Sequence, residues 1–163
     1  MLDIVRDELL TTFTATPLSV ATLRLVAAAA LGAIIGWERE AHDKPAGLRT
    51  HILISIAACL FTLIAFDLMA LDEMAEDGAL RVDPIRVIEA VTAGVAFLAA
   101  GSIITQGARV RGLTTGAGMW MAGAVGLSCG TGNVPLAALA TGLALVVMWI
   151  LRKVVPESGG EYR

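Results

Sequence analysis

"GWEREAHDKPAGLRTH", residues 36–51, crowds Glu38, Arg39, Glu40, Asp43, Lys44 and Arg49 into one short connection. The chain on either side is nearly free of charge. "LSVATLRLVAAAALGAIIG" (18–36) holds only Arg24, and "HILISIAACLFTLIAFDLMAL" (51–71) only Asp67. A helix needs about 20 apolar residues to cross a bilayer. Both runs are continuously apolar rather than alternating. Inside lipid every backbone polar group must find an internal partner, so such runs are read as helices. The charged stretch is then a loop between two transmembrane helices, and its three cations help to fix which side it occupies.

Three further apolar runs follow, at about 85–105, 113–130 and 134–151. The composition agrees: 56% of the 163 residues are hydrophobic and 17% charged, against about 45–50% and about 25% in soluble domains. Mean hydropathy is +0.76. Seventeen glycines beside only 5% aromatic residues suit helices that approach closely in lipid. The expected fold is all-α, a polytopic membrane protein with a bundle of five transmembrane helices. It divides into an N-terminal amphipathic segment (1–17), the membrane domain (18–152) and a short tail (153–163). A net charge of −3 and the lack of a basic stripe argue against a nucleic-acid partner.

The start of the chain has early acids and no apolar core leading to a cleavage site, so it does not read as a signal peptide. Leu2, Val5, Leu9 and Leu10 share one face of a surface helix. With the N-terminus outside, eight Lys and Arg fall on the inner side (39, 44, 49, 109, 111, 152, 153 and 163) and four on the outer (6, 24, 81 and 86). This favours N-out and C-in. On that topology Cys59 and Cys129 differ in depth by very roughly 15 Å, and no disulfide is expected between them.

The second inner connection, "QGARVRGLTTGAGMW" (106–120), again sets Arg and Gly-Leu beside threonine. Thr114 or Thr115 can cap the fourth helix and Thr50 the second. An inner-face polar cluster is expected from Glu38, Arg39, Glu40, Arg49, Thr50, Arg111, Thr114 and Thr115, with carboxylate and guanidinium groups paired across the loops. The blander reading is a set of helix caps beside topogenic arginines. Two intramembrane charges, Arg24 and Glu89, lie at similar outer depth. A charge in hydrocarbon costs several kcal/mol unless paired or snorkelled, so Arg24 with Glu89 is the natural pair, with Asp67 nearby.

Small residues form three ridges: Gly118, Ala122, Gly126 and Gly130 on helix four; Ala28, Gly32 and Gly36 on helix one; Ala93, Ala96 and Ala100, with Gly94 and Gly101, on helix three. Such spacings let helices pack in lipid, either within the bundle or against a second copy or partner. The acids at 67, 72, 73, 76, 77 and 83 have no fixed spacing, so no metal site is assigned. No nucleophile–base pair, P-loop or dinucleotide pattern is visible. No cofactor is expected.

"GAIIGWERE", "AGLRTH", "DPIRV", "GVAFLAAGSII", "VRGLTT" and "GLSCGTGN" occur in the order found in the MgtC/SapB family of bacterial membrane proteins, and the resemblance covers about 24–152. It departs at Ala96 and Ala99, where the family has glycine, and at Gly116 and Gly118, within the usual Thr-Thr-Ala-Ala. Many members carry a soluble C-terminal domain; here only the transmembrane domain is expected. The resemblance implies a five-helix protein of the bacterial inner membrane, linked to growth at low magnesium and, in pathogens, to survival inside host cells. The reading adopted is a non-enzymatic factor that modulates another membrane protein, partnered by the bilayer and by that protein or a second copy of itself. The alternative is a transporter or channel for a divalent cation or small solute. An enzyme acting on lipid has no residues to argue for it.

Overall fold

A computed structural model describes Met1 and residues 15–74, 83–106 and 109–154; side chains at 71–74, 104–106, 109, 151, 152 and 154 are outside the description. The amphipathic segment thus lies almost wholly outside the described residues, as do most of the acidic connection and the tail. The chain forms α1 (Leu18–Glu40), α2 (Leu48–Met74), α3 (Pro84–Gly101), a two-stranded antiparallel hairpin β1 (Ile104–Gln106) and β2 (Arg109–Arg111), α4 (Leu113–Gly130) and α5 (Val134–Val154). The fold is all-α apart from that hairpin, which the apolar pattern did not signal.

Among the described residues, three helices are long and apolar enough to cross a membrane: α1, Leu48–Ala70 of α2, and α3. Residues Val134–Ile150 of α5 form a shorter apolar stretch. Helix α4 is not among them, for a physical reason. It touches each of the other four helices, and ten of its residues are buried. Its surroundings are largely protein, so it can be rich in Gly and Thr where a lipid-facing helix needs large apolar side chains.

The helix ends differ from the sequence expectation. Helix α1 runs through Glu40 and α2 begins at Leu48, so Glu38, Arg39 and Glu40 are helical and Arg49 and Thr50 already lie in the first turn of α2. Thr50 therefore cannot cap α2. Nor do Thr114 or Thr115 cap α4: the residue before it is Gly112, with φ of 88° and no side-chain cap. Gly112 is required there, because a Cβ would run into the Ser102 carbonyl in a backbone region that other residues avoid. Helix α3 does follow the expectation. Pro84 occupies its first turn, and the Asp83 side chain accepts from Ile85 N at 2.9 Å.

The ridge on α4 is spent inside the bundle. A Cβ on Gly126 would strike the Ser55 carbonyl and lie 2.8 Å from Ala58 Cβ; one on Gly130 would lie 2.9 Å from the Cys59 carbonyl. On α1, a Cβ on Gly32 would lie 2.8 Å from the His51 carbonyl, and one on Gly36 2.7 Å from Leu48 Cα. Helix α2 is thus gripped by α1, running antiparallel, and α4, running the same way. This register corrects the depth expected for the cysteines. Cys59 and Cys129 are both fully buried in one core cluster with Ala28, Ile35 and Val125, at a common level rather than about 15 Å apart. Their thiols are free.

Helix α3 is the outlier. Only Val95 and Ala99 are buried. Ala93, Ala96 and Ala100 are exposed, and a Cβ on Gly94 or Gly101 would meet nothing within 4 Å. Gly94→Ala should therefore leave thermal stability in detergent unchanged or slightly raised, since alanine is the better helix former.

Candidate functional site

The carboxyl end of α1 and the amino end of α2 build a polar junction at one end of the bundle. Glu38 Oε2 lies 3.1 Å from Arg39 Nε, with side-chain exposures of 17% and 5%. Its other oxygen lies 3.4 Å from His42 Nδ1, which donates to the Glu38 carbonyl at 2.6 Å. Arg39 also reaches α5, where its Nη1 donates to Met148 Sδ at 3.4 Å. A guanidinium near the last carbonyls of α1 sits favourably in the helix dipole. One buried arginine thus fastens α1 to α5, with Glu38 balancing its charge.

Glu40 does something else. Its Oε2 accepts the Leu48 N–H at 2.7 Å, so it caps α2 from across the loop and places a negative charge at that helix's positive end. Close packing at Gly47, where a Cβ would lie 2.6 Å from Glu40 Oε2, keeps the loop tight enough for this. Glu40→Ala should lower stability by about 1 kcal/mol, the usual effect of losing a cap, measured as a shift in thermal midpoint in detergent.

The remaining expected members are placed differently. Arg49, Arg111 and Thr114 are exposed, Thr50 is half-buried and Thr115 is buried. Among the described residues no ion pair joins Arg49 or Arg111 to Glu38 or Glu40. Starting α2 at Leu48 turns Arg49 outward, and Glu40 is already engaged by the backbone. Arg49→Lys is accordingly expected to leave stability unchanged in the same melting measurement, since exposed charges contribute little.

Sequence reading missed the role of His51. It is fully buried, three residues into α2, and its Nδ1 donates to the Gly47 carbonyl at 2.8 Å. That leaves Nε2 as an acceptor. Nε2 has no partner among the described residues, and neither does the buried Oγ of Ser55 one turn along. A Cβ on Gly118 would lie 3.1 Å from His51 Nε2 and 3.5 Å from Arg39 Cδ. The glycine on α4 thus lets the imidazole pack closely against that helix. The available signal was the His51, Ser55, Cys59 row at four-residue spacing, facing the Gly118–Gly130 ridge. Chemically, Nε2 can accept a proton or a donated hydrogen bond, and Ser55 Oγ can donate one.

At the opposite end, Arg24 does not meet Glu89. Its Nη1 donates to the Gly130 carbonyl at 2.8 Å, and its guanidinium lies against Gly132 in the turn after α4. The cause is topological: α1 packs on α2, α4 and α5, whereas α3 packs on α2 and α4. Asp67 Oδ1 accepts from Ala15 N at 3.1 Å, and Glu89 is exposed. Among the described residues no group of three His, Cys, Asp or Glu is placed to hold a metal ion; the acids at 72, 73, 76 and 77 lie outside the described side chains.

These features define a membrane protein of packed apolar helices, tied together by a buried arginine, Arg39, at one end and a half-buried one, Arg24, at the other. The chain matches the MgtC family over residues 25–156, and it belongs to that family. It is 37% identical over 139 residues to "Protein MgtC" of Brucella abortus, covering 85% of this chain and 54% of that one. It is 33% identical over 140 residues to "Protein SapB" of Bacillus subtilis, covering 83% and 60%. It is also 33% identical over 135 residues to "Putative magnesium transporter YhiD" of Escherichia coli, covering 80% and 60%. The chain thus spans little more than half the length of these relatives. No solved structure matches it.

Proposed function

We propose that the protein is a non-enzymatic factor of the bacterial inner membrane, N-terminus out and C-terminus in, with all five helices crossing. It serves adaptation to low magnesium, and in a pathogen survival inside the host, by modulating another membrane protein through lateral contact. The observation that carries this reading is the exposed side of α3. Of the three small-residue ridges, those of α1 and α4 are consumed inside the bundle. The ridge of Ala93, Ala96 and Ala100 faces outward, where small residues have value only if a second helix comes close. Glu89, one turn before Ala93 on the same side, is also exposed. Helix α3 has 18 residues, or about 27 Å of rise, and needs nearly all of it to cross about 30 Å of hydrocarbon. Glu89 then sits inside the bilayer, where an acid calls for a partner group. A partner helix with a cation at that depth satisfies both features.

The rival is transport of a divalent cation or small solute, favoured by the YhiD name and by His51 Nε2 and Ser55 Oγ, which have no hydrogen-bond partner among the described residues. The two are separated by a double variant and a flux assay. Ala93→Leu with Ala96→Leu should insert, melt normally and fail to support growth at low magnesium. Full growth of that variant, or saturable magnesium uptake by liposomes holding the pure protein, would overturn the proposal.

A further inference from the structure

On a different flank of α3 from the small-residue ridge, an apolar groove of about 500 Å³ opens between α2 and α3. Phe61, Ala65 and Leu68 of α2 wall one side, and Val87 and Ala90 of α3 the other. Phe61 and Leu68 are 56% and 46% exposed, so the groove is open to whatever surrounds the helices. In a bilayer that medium is hydrocarbon, and an apolar hollow of this kind does not fill with water. The mouth of the groove carries Asp83 and Arg86. Both stand at the start of α3 and are exposed. Since α3 uses nearly its whole length to cross, this end lies at the boundary between hydrocarbon and headgroups.

We infer that the groove binds one phospholipid with a primary-ammonium zwitterionic headgroup, of the phosphatidylethanolamine type. An acyl chain fills the groove, the phosphate meets the Arg86 guanidinium, and the ammonium meets the Asp83 carboxylate. The two side chains are three residues apart, so they flank the same side of the helix start. Among the described residues they make no ion pair with each other, which leaves both charges for the ligand. Asp83 Oδ1 is held by Ile85 N, which orients the carboxylate and leaves its second oxygen for an ammonium. Charge-assisted hydrogen bonds to both headgroup ions give selectivity that apolar contact with a chain cannot. A purely anionic headgroup would meet Asp83 unfavourably, and a quaternary ammonium has no N–H to donate. The inference does not depend on the lateral contact proposed for the other side of α3.

The test is native mass spectrometry of the full chain in detergent, titrated separately with phosphatidylethanolamine, phosphatidylcholine and phosphatidylglycerol of one acyl composition. The expected result is one retained phosphatidylethanolamine per chain, bound about tenfold more tightly than either other lipid. Asp83→Asn keeps the helix cap and should bring phosphatidylethanolamine to the level of phosphatidylcholine. Arg86→Gln should weaken all three about tenfold. Ala90→Phe, at an exposed position, should block the groove and abolish retention with the charges intact. Equal retention of the three lipids by the native chain, selectivity that survives Asp83→Asn, or a lipid-free dimer holding the groove closed would each overturn the assignment.

Discussion

Gly126→Leu is expected to yield no folded protein. A Cβ at this position already meets the Ser55 carbonyl, a backbone atom that cannot turn aside, and lies 2.8 Å from Ala58 Cβ. Overpacking a tight core commonly costs about 1–3 kcal/mol when side chains can shift; here the axes of α2 and α4 must separate. That separation would also loosen the junction at His51 and the contacts of Gly130 with Cys59 and Thr62. Expression should fall, and what can be purified should aggregate on size-exclusion chromatography. Gly94→Leu, introduced in parallel, should behave as the native chain in detergent, because nothing lies within 4 Å of its Cβ position. Equal behaviour of the two variants would mean that the α4 ridge faces lipid.

The second large effect is expected at Glu38. Glu38→Gln preserves shape but leaves the Arg39 guanidinium, 5% exposed, without a counter-charge. Removing one member of a buried pair costs about 3–5 kcal/mol, and the partial exposure of Glu38 puts the expected loss near 3 kcal/mol. The thermal midpoint should fall sharply, while the double variant Glu38→Gln with Arg39→Met should recover much of it, since replacing the arginine by an apolar side chain removes the stranded charge. If the single variant melts like the native chain, Arg39 is not buried in the membrane and the junction is misplaced.

Much of the fold could be read directly. Runs of apolar residues mark helices in any order-independent way, and all five helices lie where the runs do. The small-residue spacings likewise marked close contacts at Gly118, Gly126 and Gly130. The partners were harder. Charge and spacing suggested that Glu38 and Glu40 would meet Arg49 and Arg111, but helix boundaries shifted by three or four residues decided otherwise. With α1 extended through Glu40, one acid turns inward to Arg39 and the other reaches the amino end of α2. Arg24 found a carbonyl rather than Glu89, because which helices touch is a property of topology that no local pattern encodes. His51 was invisible as a core residue for a related reason. A histidine at a loop edge looks polar and exposed until the opposing glycine on α4 is known to face it.

The claim on which the functional reading rests is that α3 turns its small-residue face to another protein. It is tested most directly by a photocrosslinking amino acid at Ala96, with a second chain carrying it at exposed Leu143 on α5 as the lipid-facing control. Irradiated in intact cells under low magnesium, the Ala96 probe should give one discrete protein adduct whose mass exceeds a dimer or differs from it, and the Leu143 probe only lipid adducts. Lipid adducts alone at Ala96, at the same yield as at Leu143, would contradict it.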